Sequence, residues 1–348
     1  MIHEFPRHQD GRERGYRGQR GSDQQSENGL VQHNRLVPCI TKAALATLGK
    51  VHRAIKDSEV FAPEAAFETV KVGKREKIAL GVDLFAEQLA TIELGRRLKQ
   101  FQPLILGEES LRDEGLDLTN ESRIVALLDM VDGTDLFERG MGNWCSAAAF
   151  FLPAQRQILG AFVCVPEGAV FYWTIDTRFP MKFDLKTGTK TPVTGPSSVR
   201  AVAEASVSFY GQKVHNFCSC ASPLAHARNH RLQAKGLGLR IYNLAGIPAM
   251  MKVVDCDSHR RLDAVFELVG QHPHDVVPGA IIAQAGGATI LGLDGAPLDL
   301  ISALLRPANS GHRLKYVLAA TPELAAELLM CLRDEGESDT ADVGGIAA

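Results

Sequence analysis

The stretch Ile124 to Phe151, IVALLDMVDGTDLFERGMGNWCSAAAFF, constrains what this chain can fold into more than any other. Its apolar run Ile124 to Leu128 reads as a buried strand, being short, continuous and bounded by turn residues. The run ends in two carboxylates three residues apart, Asp129 and Asp132, with Gly133-Thr134 directly behind them. Where a strand hands over to a turn, both carboxylates can point at one spot off the sheet edge, with the Val131 carbonyl between them. Hard cations such as Mg²⁺ take oxygen ligands of this kind. Gly133 lets backbone approach a ligand closely, and N–H groups at Gly133, Thr134 and Asp135 can hold phosphate oxygens as a helix N-terminus does. Thr134 adds a hydroxyl able to orient a water. Taken alone, the same residues also fit a hairpin with a tight turn at Asp132-Gly133, which would leave Asp129 without a purpose. An EF-hand loop does not fit, since alternating ligands and a twelfth-position Glu are missing.

With 348 residues, 45% of them hydrophobic, the chain can bury a large core as one domain or two. A formal net charge of −3 points to neither nucleic acid nor an anionic membrane surface as a partner. Seven cysteines without framework spacing fit free thiols in a reducing compartment, so a cytoplasmic location is expected. The first 30 residues carry five Arg and five acidic residues with no apolar core segment. They match no targeting peptide and are expected to be a disordered extension.

From Leu36 to Glu59, Ile40, Ala44, Leu48, Val51 and Ile55 share one helical face. A polar connection, Lys71 to Lys77, leads to a second helix pattern, Asp83 to Lys99, opening at Gly81-Val82-Asp83. A short strand, Leu104 to Leu106, runs into Gly107-Glu108-Glu109-Ser110. Beyond the central strand, Ser146 to Leu152, Ile158 to Val165 and Ala169 to Thr174 read as an antiparallel meander. The turn-rich Thr187 to Ser198 marks a boundary between two subdomains. After it come strand Val199 to Glu204, an irregular His-rich segment, helix Ala245 to Val254, strand Leu262 to Leu268, helix Val276 to Ala285 and strand Ala288 to Leu291. A strand (Lys315 to Ala320) and a helix (Pro322 to Leu332) follow. Strands alternating with helices argue an α/β unit. The organisation expected is therefore an extension over 1–30, an α+β subdomain with the metal site over 31–190, an α/β subdomain over 191–332, and a disordered tail over 333–348.

Asp83 and Asp275 each admit a plainer reading as helix caps, worth about 1 kcal/mol, and Glu108 a plainer one as a solvated loop residue. What matters is that acids recur in this order at strand ends and helix starts: GVD, GEES, DMVDGTDLF, HDVVPGAIIAQAGG. Taken together these motifs resemble the inositol monophosphatase superfamily of Mg²⁺-dependent, commonly lithium-sensitive phosphomonoesterases, whose pattern is an upstream Asp at a helix start, GEE, DPxDGTxNF and WDxAAGxxIxxEAGG. The resemblance covers about residues 36 to 330. It implies an α/β (α+β) fold, a layered αβαβα sandwich, with Glu108, Asp129, the Val131 carbonyl, Asp132 and Asp275 holding two or three Mg²⁺ ions. It implies that Asp83 and Thr134 orient and help deprotonate the attacking water, Glu108 contributing to catalysis as a ligand.

Substrate-facing positions depart from the pattern. Gly246-Ile247-Pro248-Ala249 replaces a Gly-Thr-Ala-Ala-like segment, Met130 a Pro, Asp135-Leu136 the residues before the Phe that Phe137 matches, His274 an aromatic, and Gln284 a Glu. Gly246, Ile247, Glu267 and His274 are the expected substrate neighbours, with His272 and His274 flanking the metals as substrate contacts or exposed residues. The expected activity is hydrolysis of a small phosphorylated alcohol or sugar. Histidinol phosphate, fructose 1,6-bisphosphate and 3′,5′-bisphosphonucleotides are alternative substrates, and a catalytically silent binding or regulatory protein is the alternative of another class. The family often forms homodimers, and no nucleic-acid or membrane partner is expected. Cys218, Cys220, His226 and His230 fit no common zinc spacing. Trp144 and Trp173 are expected in the core.

Overall fold

In the computed structural model, the described residues are 20–57, 69–72, 75–78, 81–111, 116–209, 224, 238–244, 246–256, 261–307 and 313–333. The Cys218, Cys220, His226 and His230 group and the tail beyond Arg333 lie outside them. Among the described residues, no helix is long and apolar enough to cross a membrane.

Helix α1 (Arg20–Asp57) carries the apolar stripe read from the sequence, and Ile40, Ala44, Leu48, Val51 and Ile55 are all buried. It starts at Arg20, inside the stretch expected to be a disordered extension. Each residue added to an existing helix closes one more backbone hydrogen bond, so a packed helix can extend back through a polar run that contains no breaker. The supposed polar connection at 71–77 is instead an antiparallel hairpin, β1 (Thr69–Val72) with β2 (Arg75–Ile78). Its TVKV and REKI segments are short and rich in charge, which hid the strand signal. Helix α2 (Gly81–Arg97) follows, as its periodicity predicts.

Seven strands form the first sheet, in sequence order: β3 (Leu104–Gly107), β4 (Val125–Asp132), β5 (Cys145–Leu152), β6 (Gln157–Val165), β7 (Val170–Ile175), β8 (Met181–Asp184) and β9 (Lys190–Pro192). Only β3 and β4 are parallel; the rest is the predicted meander, extended by two strands. Strand β9 lies within the turn-rich 187–198 segment, at the sheet edge, where a proline costs no ladder bond. The short helix α3 (Thr134–Glu138) sits between β4 and β5.

This sheet is covered on both faces. Along β5, Cys145, Ala147, Ala149 and Phe151 pack into one core while Ala148 and Phe150 pack into the other. Period-2 alternation therefore separates two apolar environments rather than core from water, and the sequence shows a continuous hydrophobic run. One face receives α1 and α2. The other receives α4 (Gly246–Val254) and α5 (Pro273–Ala285), which lie between the two sheets.

The second sheet has the order β11-β10-β12-β14-β13, made of β10 (Ser206–Phe209), β11 (Arg240–Tyr242), β12 (Ala264–Gln271), β13 (Thr289–Gly292) and β14 (Leu314–Ala319). The strand expected over 199–204 starts later, because Val202–Glu204 forms a 3-10 turn whose Val202 N–H donates to Glu327. Helix α6 (Leu300–Leu305), capped by Asp299, was not foreseen. Helix α7 (Pro322–Arg333) covers the outer face, where Leu324 and Leu328 meet Val207, Phe209 and Val317. The layers thus run αβαβα, the sandwich the sequence motifs imply.

Candidate functional site

Strand β4 ends in the two carboxylates Asp129 and Asp132. In a regular strand, residues three apart face opposite ways. Here Asp129 pairs with Ala147 and Asp132 with Cys145, three steps on one strand against two on the other, with a bulge between. Cross-strand partners share a face, and Ala147 and Cys145 both look toward the layer of α4 and α5. The bulge therefore turns both acids to the same side, a placement that regular alternation forbids.

Both acids are buried, Asp129 being 2% exposed. Burial first, then the charges of Asp132, Glu108, Asp275 and Asp83, push the Asp129 carboxyl well above the ordinary range. Asp132 is also pushed up, by burial and then by Asp275, although the Ile247 N–H donates to its Oδ2 at 2.7 Å and pulls the other way. The charges of the other four acids read from the sequence thus all bear on Asp129, and among the described residues Glu108 and Asp275, with His274, bring ligand atoms within 4.8 Å of one another. The five acids arrive from the ends of β3 and β4 and from the starts of α2 and α5.

Thr134 opens α3, behind Gly133, which takes the left-handed conformation at φ 96° that disfavours a side chain. The Thr134 Oγ1 hydroxyl lies 2.8 Å from the Val131 carbonyl and 3.4 Å from Asp83 Oδ1. One hydroxyl thus links the strand carbonyl to the helix acid.

The plainer reading of Asp275, as a helix cap, holds in part: its side chain takes part in the capping of α5 without being the N-cap residue. Helix α5 starts earlier, with His272 as N-cap and Pro273 as its first residue, and Asp275 Oδ2 accepts from the His272 N–H at 3.0 Å. Pro at the first position and an acid two residues later stabilise a helix start together, which explains the shift. Burial, the largest single influence, raises the Asp275 carboxyl, but His274, with Nε2 3.0 Å from Asp275 Oδ1, and His272 together outweigh it and the net shift is downward. His274 is 4% exposed, so it is neither a surface residue nor openly presented to a substrate. Its ring stacks on His272 at 5.3 Å between centroids.

The other expected substrate neighbours are placed differently from their prediction. The Ile247 side chain is fully buried in the core, and the residue reaches the site only through its N–H. Gly246 is buried against Gln271, where a Cβ would come within 3.0 Å of Nε2. Glu267 is buried, and its Oε1 accepts from the Val269 and Gly270 N–H groups at 2.6 and 2.9 Å, closing the bulge in β12. Burial moves its carboxyl upward. Gln284 is exposed at the far end of α5, nine residues or about 13 Å from Asp275. Met130 lies in the core, its carbonyl accepting from the Ser146 hydroxyl at 2.7 Å. Trp144 and Trp173 are buried as expected.

Two supporting residues escaped the sequence reading. Glu87, one turn beyond Asp83, is buried and accepts from the Glu109 N–H at 2.7 Å, holding the loop that carries Glu108. Gly107 makes room for it, since a Cβ there would lie 2.1 Å from Glu87 Cδ. The i, i+4 spacing of Asp83 and Glu87 was the available signal. Tyr316 is fully buried, and its hydroxyl donates to Gln271 Oε1 at 3.0 Å. Nothing in the sequence distinguishes it from a core tyrosine.

The donor set suits divalent cations. Clustered carboxylates in a buried site repel one another unless cations compensate them, and ligand atoms of Glu108, His274 and Asp275 lie within 4.8 Å of one another.

No protein-family model matches the chain, and no curated protein matches it significantly in sequence. Solved structures do. SuhB from Mycobacterium tuberculosis is 21% identical with a TM-score of 0.56, covering 87% of this chain and 97% of that one. The extragenic suppressor protein SuhB from Bartonella henselae is 15% identical with a TM-score of 0.58, covering 84% and 98%. A structure described as an inositol monophosphatase–fructose 1,6-bisphosphatase is 17% identical with a TM-score of 0.62, covering 84% and 98%. The chain has the inositol monophosphatase fold. The likeness to these proteins covers 84% to 87% of this chain.

Proposed function

We propose that the chain is a divalent-cation-dependent phosphomonoesterase acting on a small phosphorylated alcohol or sugar. The observation that carries this reading is the grouping of Glu108 and Asp275 with the buried Asp129 and Asp132 at the end of β4, and of Asp83 with the Thr134 hydroxyl. Glu108, Asp129, the Val131 carbonyl, Asp132 and Asp275 are the oxygen donors that would hold Mg²⁺ ions. When bound, such ions supply Lewis-acid polarisation of phosphoryl oxygens and charge compensation for a leaving alkoxide.

The remaining roles fall to the protein itself. Thr134 and Asp83 orient the attacking water, and Asp83 accepts its proton. The N–H groups opening α3, at Thr134 and Asp135 beside Gly133, hold phosphate oxygens. Ile247 fixes Asp132 in place. Gly246, Glu267 and Ile247 act on the substrate indirectly, by shaping the wall that Gln271 and Asp275 present. Gln284 is exposed at the far end of α5, so that departure from the pattern does not touch the acids.

The test is phosphate release by the purified full chain from a panel of inositol, sugar, histidinol and nucleotide phosphates, with Mg²⁺ or Mn²⁺, with and without chelator and lithium. Turnover that requires the cation supports the proposal and identifies the substrate class. Absence of turnover on every substrate, with metal demonstrably bound, would establish the silent relative instead.

A further inference from the structure

His274 replaces an aromatic residue in the sequence pattern that this chain otherwise follows, and its ring is buried at the site rather than set aside from it. Its Nε2 lies 3.0 Å from Asp275 Oδ1. Its ligand atom, one from Asp275 and one from Glu108 fall within 4.8 Å of one another. A separation of about 3.0 Å is that of neighbouring ligands on an octahedron with bonds of about 2.1 Å. Stacking on His272 holds the plane of the ring.

We propose that His274 is a nitrogen ligand, which together with Glu108 and Asp275 makes one position of the site selective for a borderline transition ion such as Mn²⁺ or Co²⁺ over Mg²⁺. This rests on the metal-site reading above and adds to it the identity of the ion. An all-oxygen set suits Mg²⁺, which holds its waters and demands hard donors. Exchanging one oxygen for an imidazole shifts the preference along the Irving–Williams order, because nitrogen is the softer donor. The competing arrangement is an imidazolium that donates to Asp275 and holds no ion. It produces the same 3.0 Å contact but no metal–nitrogen bond.

The experiment uses the full chain, freed of metal and loaded with one equivalent of Mn²⁺, and reads ¹⁴N coupling by pulsed electron paramagnetic resonance. Coupling to a directly bound nitrogen is expected in the native chain and in His272→Gln, and is expected to vanish in His274→Gln. Calorimetric titration should show His274→Gln weakening Co²⁺ by about tenfold or more while Mg²⁺ changes by less than about twofold. An all-oxygen spectrum in the native chain overturns the proposal, and needs no variant to fold. Coupling that survives in His274→Gln, or equal weakening of Co²⁺ and Mg²⁺, overturns it as well. Phosphate release with an all-oxygen spectrum would remove this inference and leave the phosphatase reading standing. Nitrogen coupling without turnover on any substrate would do the reverse.

Discussion

The Ile247 N–H donates to Asp132 Oδ2 at 2.7 Å, fastening the first turn of α4 to the last residue of β4. One bond thereby joins the layer between the sheets to the strand that carries the acids. It also explains how Asp132 tolerates burial beside other carboxylates, since a first-turn N–H carries the positive end of a helix dipole.

Gly279→Ala should disturb that bond from a distance. A Cβ on Gly279 would lie 2.8 Å from Met250 Sδ and 3.1 Å from Ile247 Cγ2, so the Met250 thioether must shift and Ile247 must give where α4 meets α5. Overpacking of this kind costs about 1–3 kcal/mol. Denaturant melts should show that loss, and turnover should fall with it. Full activity in a destabilised variant would mean that α4 does not position Asp132.

Thr134→Val removes the hydroxyl shared between the Val131 carbonyl and Asp83 while keeping the shape of the side chain. Phosphate release should drop by roughly 100-fold or more, the scale of lost proton-transfer assistance, and Thr134→Ser should recover most of it. Measurement of kcat for both variants checks this. Full activity in Thr134→Val would remove the hydroxyl from the mechanism.

Asp129→Asn relieves repulsion in the buried cluster, so the metal-free fold should be as stable as the native one or more so. The stabilisation by added cation, about 2.7 kcal/mol at a hundred times the dissociation constant, should disappear along with turnover. Thermal melts with and without Mn²⁺ and a phosphate assay check both halves. A variant that keeps most of its activity refutes the ligand assignment.

Glu93 ties α2 to α1 through Lys50 at 2.7 Å and also meets Arg96 at 2.8 Å. The Lys50 hydrogen bond, then that of Arg96, hold its carboxyl down to about 2 from an ordinary 4.5. A depressed folded value adds stability above the unfolded value and loses it as pH falls through the folded one. Urea midpoints of the native chain should therefore decline between about pH 4.5 and 2, and Glu93→Gln should flatten that limb. Parallel curves for the two proteins would show the ion pairs to be without consequence.

Much of this was legible in the sequence because its signals are local. The apolar stripe of α1, the meander after β4 and the acids at element ends need only neighbouring residues to be recognised. Asp83, Glu108, Asp129, Asp132 and Asp275 could be assembled because each belongs to a short motif in a fixed order. The β1–β2 hairpin was missed because charged residues mask its alternation, and α6 because six residues carry too little periodicity. Ile247 was misplaced because a position in a motif says nothing about whether the side chain or the backbone N–H faces the site.

The sequence by itself determined the order of elements and which acids are available for a cation, since both are written in residue type and spacing. Only the tertiary structure decided that the bulge in β4 turns Asp129 and Asp132 to one face, that Ile247 serves through its N–H, and that His274 is brought to Glu108. Those outcomes depend on parity along a strand and on contacts between residues more than a hundred positions apart, which no local pattern encodes.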